Sequence, residues 1–160
     1  MSLQYIIDGY NVIRHPEFPV SHPKKSASYL ALFQYIRLKR LCGSLKNRVI
    51  IVLDGYPDRQ DADSVNRPGE VVFSCDETAD EKIKQLVERS VQPRNIVVVS
   101  DDRQIREAVG AKGAKVLKVV EFISPKRVTL DKKEEATKPE LTSEEVSFIN
   151  LELQKRWLKQ

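Results

Sequence analysis

Four apolar runs in this chain each lead into acidic side chains. Tyr5-Ile6-Ile7 reaches Asp8, and Val49 to Leu53 reaches Asp54. Val71-Val72-Phe73 leads through Ser74 and Cys75 to Asp76, Glu77 and Asp80. Ile96 to Ser100 leads to Asp101 and Asp102. Stretches with helical spacing lie between these runs, and such alternation argues for a parallel sheet with crossover helices on both faces. The C-terminal strand ends of such a sheet share one edge, where ligands bind. The expected architecture is α/β: a three-layer Rossmann-like fold with a central, mostly parallel five-stranded sheet and a C-terminal helical tail.

The order of signals follows that plan. A proline-containing loop, Arg14 to Pro23, should follow the first strand. A helix from Ser26 to Cys42 should bury Tyr29, Leu32, Phe33 and Ile36 along one stripe and end at Gly43. The continuous apolar strand Val49 to Leu53 suits a position covered on both faces. A polar loop from Gly55 to Gly69, with Asp58, Asp61 and Asp63, leads to a short strand from Glu70 to Ser74. Thr78 with Glu81 three residues on is a capping box, opening a helix buried through Ala79, Ile83, Leu86 and Val87. Pro93 turns the chain into the fourth strand. A helix from Asp101 or Asp102 to Ala111 should bury Ile105, Ala108 and Val109 and end at Gly110 and Gly113. Lys115 to Val119 reads as the fifth strand.

Residues 1–124 therefore read as one domain. Residues 125–140 are charged and nearly without core-forming side chains, as a solvated linker would be. Residues 141–160 read as a final helix, capped by Thr142 and Glu145, with Val146, Ile149, Leu153 and Trp157 on one side.

No apolar run approaches the length of a membrane span, and no secretory signal opens the chain. Cys42 and Cys75 lack metal-type spacing, so two inert thiols in a reducing, cytoplasmic setting are expected. The net charge is +4 despite the acidic strand ends, so basic residues are concentrated elsewhere, which suits a polyanionic partner.

Carboxylates gathered at one edge repel each other and lose hydration. One or two hard divalent cations on oxygen ligands would compensate. Such ions lower the pKa of bound water and clamp a phosphoryl group between attacking and leaving oxygens. No histidine or serine nucleophile is then needed. Taken singly, each acid has an ordinary explanation. Asp8-Gly9 and Asp54-Gly55 can make turns. Asp101 can cap a helix, and Asp102 and Asp80 can favour a helix dipole. Their convergence on one edge argues for a site. Asn11 could orient Asp8, a bound water or a phosphate. Arg14 and Arg103 are the candidate phosphate contacts, and Tyr10 and Tyr56, each after a Gly, could stack on unpaired bases. His15 could touch substrate, while Ser100 reads as a turn or cap residue.

The stretches Tyr5 to Ile13, Val52 to Gly55, Glu77 to Asp80 and Val97 to Arg103, with Gly113-Ala114 and Glu121-Phe122 beyond, together resemble the NYN-domain family, in the YacP-like branch of the PIN-like ribonucleases. The resemblance covers roughly residues 3 to 123. It implies a PIN-like fold, a Mg²⁺ or Mn²⁺ site and endoribonuclease activity. Carried over by position, Asp8, Asp54, Asp80 and Asp101 form the acidic set, with Asn11 supporting Asp8. Either member of the Asp101-Asp102 pair can face the metal, and Asp76 or Glu77 can supplement Asp80. RNA, in a ribosome context for some of the readings, is the implied partner. A non-catalytic RNA- or ribosome-binding module is the competing class. An aspartyl phosphatase lacks its second Asp, since Tyr10 stands two positions after Asp8. A receiver lacks an acidic pair after the first strand.

Overall fold

The computed structural model describes residues 2–19, 25–57, 69–124, 147–148 and 150–151. The elements are β1 (Gln4–Asp8), α1 (Gly9–Ile13), α2 (Lys25–Lys39), β2 (Arg48–Leu53), β3 (Glu70–Phe73), α3 (Ala79–Glu88), β4 (Ile96–Val99), α4 (Arg103–Ala111), β5 (Lys115–Leu117) and α5 (Val119–Ile123). Ser147, Phe148, Asn150 and Leu151 are helical. The expected linker, the Thr142–Glu145 cap and the stripe residues Val146, Ile149, Leu153 and Trp157 lie outside the described residues, as do Asp58, Asp61 and Asp63.

The strands form one sheet in the order β3-β2-β1-β4-β5. Every neighbouring pair is parallel, so the sheet is wholly rather than mostly parallel. Strand side chains alternate between faces, and the sequence is apolar at both parities. Ile6, Ile50, Val52 and Val98 meet Ile83 and Val87 of α3 and Ile105 and Val109 of α4. Ile7, Ile51, Leu53 and Val99 meet Val12 of α1, Leu32, Phe33 and Ile36 of α2, and Phe122 and Ile123 of α5. Each such side chain taken fully from water contributes about 1.5–3 kcal/mol. Both faces are therefore sealed, and the strand ends are left as the polar surface.

Several boundaries differ from the sequence expectation. Helix α2 stops at Lys39 rather than Cys42. Arg40 takes a left-handed conformation, φ 51°, and Leu41 N donates to Ile36 O at 3.1 Å. That is a Schellman ending with an arginine where glycine is usual. At α4 the same ending falls on Gly113, φ 94°, with Ala114 N donating to Val109 O at 3.2 Å; Gly110 stays inside the helix. Val119 leaves the expected fifth strand for α5, because Glu121 accepts from the Lys118 amide at 2.9 Å and starts a helix there. Helices α1 and α5 are five residues each, too short to show a period.

Helix α1 stands between β1 and the expected Arg14–Pro23 loop and brings Gly9 hard against β2. A methyl at Gly9 would stand 2.5 Å from Leu53 Cδ2, 2.9 Å from Ile51 Cγ2 and 3.1 Å from Val52 O. The last atom is backbone and cannot yield. Gly9 thus serves the packing of chain on chain. Among the described residues no helix is long and apolar enough to cross a membrane. Gly9→Ala should cost about 1–3 kcal/mol through overpacking, read as a lower urea midpoint with unchanged slope; an unmoved midpoint would show that α1 is free to retreat.

Candidate active site

The acids stand at the carboxyl edge of the sheet, each set there by the element that ends or begins beside it. Asp8 is the last residue of β1 and the N-cap of α1. It is only 4% exposed. Its Oδ1 accepts from Asn11 N at 3.4 Å, and its Oδ2 accepts from Asn11 Nδ2 and, at 3.4 Å, from Ser100 Oγ. Asn11 therefore holds Asp8 directly. Asp54 follows β2. Its Oδ1 accepts from Ser74 Oγ at 3.0 Å and from Ala79 N, the first amide of α3, at 3.3 Å.

The two serines play matching parts. Ser74 directly follows β3 and is buried; its Oγ also accepts from Gly55 N at 3.1 Å. Ser100 directly follows β4 and is fully buried; its Oγ also accepts from Asp102 N at 3.1 Å. Each hydroxyl donates to the acid of the adjacent strand and accepts from a loop amide. Ser100 does serve its turn, as expected of a turn or cap residue, through the Asp102 amide; its bond to Asp8 and that of Ser74 to Asp54 were not expected from the sequence. The available signal was a small hydroxyl residue at the first position after an apolar strand.

Asp80 lies in the first turn of α3. Burial is the main force pushing its carboxyl above the usual carboxylate range. The charges of Asp102, Asp54 and Glu81 push the same way, and Lys84 opposes them. Burial likewise raises Asp8; its hydrogen bonds from Asn11 and Ser100 pull it back, and the charge of Asp80 adds to the rise. Asp80 is thus the electrostatic hub that feels or is felt by Asp8, Asp54 and Asp102.

The neighbouring pair divides. Asp102 is the N-cap of α4, its Oδ1 accepting from Gln104 N at 2.7 Å and Ile105 N at 3.1 Å. Asp101 points to the other side. Its Oδ1 accepts from Val119 N, at the start of α5, at 2.9 Å, and its Oδ2 lies 3.8 Å from His15 Nε2. His15 Nδ1 in turn accepts from Glu17 N at 3.2 Å. Asp76 is exposed and accepts from the Tyr56 hydroxyl. Glu77 accepts from Gln85 Nε2 at 2.9 Å.

The Arg14 guanidinium lies over the half-buried Tyr10 ring, 4.8 Å from its centroid. Arg103 is exposed and pairs with Glu107 at 2.7 Å, one helical turn on. Cys42 is buried, which pushes its thiol up to about 12, and Cys75 is exposed; both are free.

Among the described residues no three acidic, imidazole or thiol side chains form a ready-made cage for one ion. The donor chemistry nevertheless fits a hard cation. The ligands are all oxygen, two of them are raised by crowding and burial, and Mg²⁺ is commonly held by one or two carboxylates with water completing its shell. Asp8, Asp54, Asp80 and one of the adjacent Asp101 and Asp102 are the residues that would hold it.

A five-stranded parallel sheet in this order, with helices on both faces, matches a PIN-like fold. The chain belongs to the YacP-like NYN domain family, whose model matches residues 5–160. It is similar in structure to Rae1 (YacP) from Bacillus subtilis, with a TM-score of 0.54 at 22% identity over 99% of this chain and 81% of that one. The W164L mutant of the same protein gives a TM-score of 0.53 at 22% identity, over 99% and 83% of the two chains. None of the curated proteins matches the sequence.

The raised Asp80 carboxyl carries a sign for stability. The folded chain holds that proton to higher pH than the unfolded chain, so stability falls as pH rises through the interval between the two values. In chelator, Asp80→Asn should therefore melt above the wild type at pH 7, and the difference should shrink as pH drops into the carboxylate range. A pH-independent difference in melting temperature would show that crowding at Asp80 is not its cause.

Proposed function

We propose that this protein is a metal-dependent endoribonuclease, hydrolysing RNA phosphodiester bonds with water activated at Asp8, Asp54, Asp80 and Asp102. The observation that carries the reading is the gathering of four carboxylates at one strand edge: Asp80 adds its charge to the buried Asp8, and Asp102 and Asp54 add theirs to Asp80. Among the described residues Lys84 is the cation that opposes the negative charge at Asp80, and a bound cation would offset the surplus. A bound Mg²⁺ or Mn²⁺ supplies Lewis acidity and a more acidic water.

The chain's own residues do the rest. Asn11 and Ser100 fix Asp8, and Ser74 and the Ala79 amide fix Asp54. Among the described residues, the protein hydrogen bonds of Asp54 and Asp102 fall on Oδ1 alone, so Oδ2 is the oxygen to offer a ligand. Membership of the family supports RNA as the substrate. Of the adjacent pair we assign Asp102 to the site. Asp101 is a positioning residue, since its carboxylate already ties the β4–α4 turn to α5 and to His15.

The test is cleavage of labelled RNA and DNA with Mg²⁺, Mn²⁺ or chelator. Cleavage of RNA that stops in chelator is expected. Binding without cleavage in every metal would favour the non-catalytic RNA-binding module. Asp8→Asn and Asp102→Asn should each lower the rate by more than about 100-fold, exceeding the usual cost of losing an outer partner of a metal site. Asparagine still caps a helix, so α4 survives the second change. Asp101→Asn, which keeps an acceptor for Val119, should cost less than about tenfold by the same scale. Equal losses at 101 and 102 would overturn the division.

A further inference from the structure

Among the described residues Tyr56 and Phe148 are the exposed aromatic side chains, and only Tyr56 stands beside the acids. It is two residues past Asp54 and 63% exposed. An exposed tyrosine ordinarily samples several rotamers, but this one is held at both ends. Its backbone is pinned through Gly55, which sits at φ 91°, donates to Ser74 Oγ at 3.1 Å and accepts from Cys75 N at 2.9 Å. Its hydroxyl donates to Asp76. Ser74 is the same residue that holds Asp54, so ring and acid share one anchor.

We propose that the Tyr56 ring is a stacking platform for an unpaired nucleobase, seating a single-stranded RNA next to Asp54. The inference rests on the RNA reading above and deepens it. Charge decides which part of a nucleotide the ring takes. Asp54 stands two residues before the ring and Asp76 accepts from its hydroxyl, so both charges discourage a phosphate there, whereas a base offers an uncharged π-face. A ring already held in place loses little freedom on stacking. Tyr10 is the weaker candidate, because it is half-buried and Arg14 already covers its face.

The experiment is fluorescence anisotropy of a labelled single-stranded RNA and of a duplex of equal length, in chelator so that nothing is cut. Wild type, Tyr56→Phe and Tyr56→Ala are compared, with melting temperatures as the check on folding. Tyr56→Ala should weaken single-strand binding by roughly tenfold, the usual scale for one stacked base, and leave duplex binding unchanged. Tyr56→Phe keeps the ring and should bind within about threefold of wild type on that scale. Wild-type affinity in Tyr56→Ala overturns the platform while leaving the nuclease reading standing. An equal loss in Tyr56→Phe assigns the effect to the Asp76 tether and also overturns it. No binding of either RNA by wild type in chelator, with neither binding nor cleavage once Mg²⁺ is added, overturns the RNA reading and the platform with it.

Discussion

A buried serine at the end of one strand donating to the aspartate at the end of its neighbour is the interaction on which the acidic edge depends. Ser100 does this for Asp8 and Ser74 for Asp54. A hydrogen bond to a charged group contributes about 1.5–3 kcal/mol, while the effective penalty for burying an ion is several kcal/mol. At Asp8 the second term wins, since its carboxyl is raised despite donors from Asn11 and Ser100. The protein thus fixes the position of the charge without fully satisfying it. Under the proposed function, that residue of unmet charge, to which Asp80 adds, is what a cation at the edge would offset.

The apolar layers convert this local chemistry into a fixed geometry. Because β1 is central, with β2 and β4 on either side, the ends of three strands are held in one register. Ile7, Ile51 and Val99 lie side by side under α1, α2 and α5, so Asp8 cannot shift along its strand without exposing that row. Gly9 lets α1 close onto β2, which brings Asn11 to Asp8. On the far side Asp101 ties the β4–α4 turn to α5, leaving its neighbour to begin α4. Adjacent carboxylates with opposite duties follow from the chain turning between a strand and a helix at that point.

The sheet, the burial stripes of α2, α3 and α4 and the acid-bearing ends were legible because they rest on period and on strand length, which the sequence carries locally. Tyr29, Leu32, Phe33 and Ile36 are all buried, and the Thr78–Glu81 box is formed, whereas Leu86 and Ala108, expected in the stripes of α3 and α4, are only half-buried. What was not legible depends on partners distant in sequence. The Ser100–Asp8 bond spans 92 positions and the Asp101–Val119 bond 18. Helix α1 exists because Asp8 caps it and Gly9 fits against Leu53, neither of which shows as a repeat. The end of α2 at Arg40 was hidden because an arginine in the left-handed region carries no local mark. The family likeness pointed to the acidic set by position; the assignment within the Asp101-Asp102 pair needed the direction of each carboxylate.

Shape and charge together bear on what this edge can receive. Two depressions on the molecule, of about 390 and 440 Å³, lie away from it. One is at the opposite edge, lined by Gln4, Arg48, Gln92 and Asn95 among others, and one is on α3 beside Glu81 and Glu88. Small ligands usually occupy enclosed, largely apolar pockets, and neither depression reaches Asp8. Among the described residues Arg37, Lys39 and Arg40 close α2, and Lys46 and Arg48 lead into β2, at the amino end of the sheet, while Lys84 opposes Asp80 and Arg103 directly follows Asp102 at the acidic edge. A phosphate drawn to the positively charged chain therefore meets repulsion at the acids unless a cation sits between them. Under the proposed function metal and polyanion then favour each other's binding, and by linkage the gain is the same whichever arrives first.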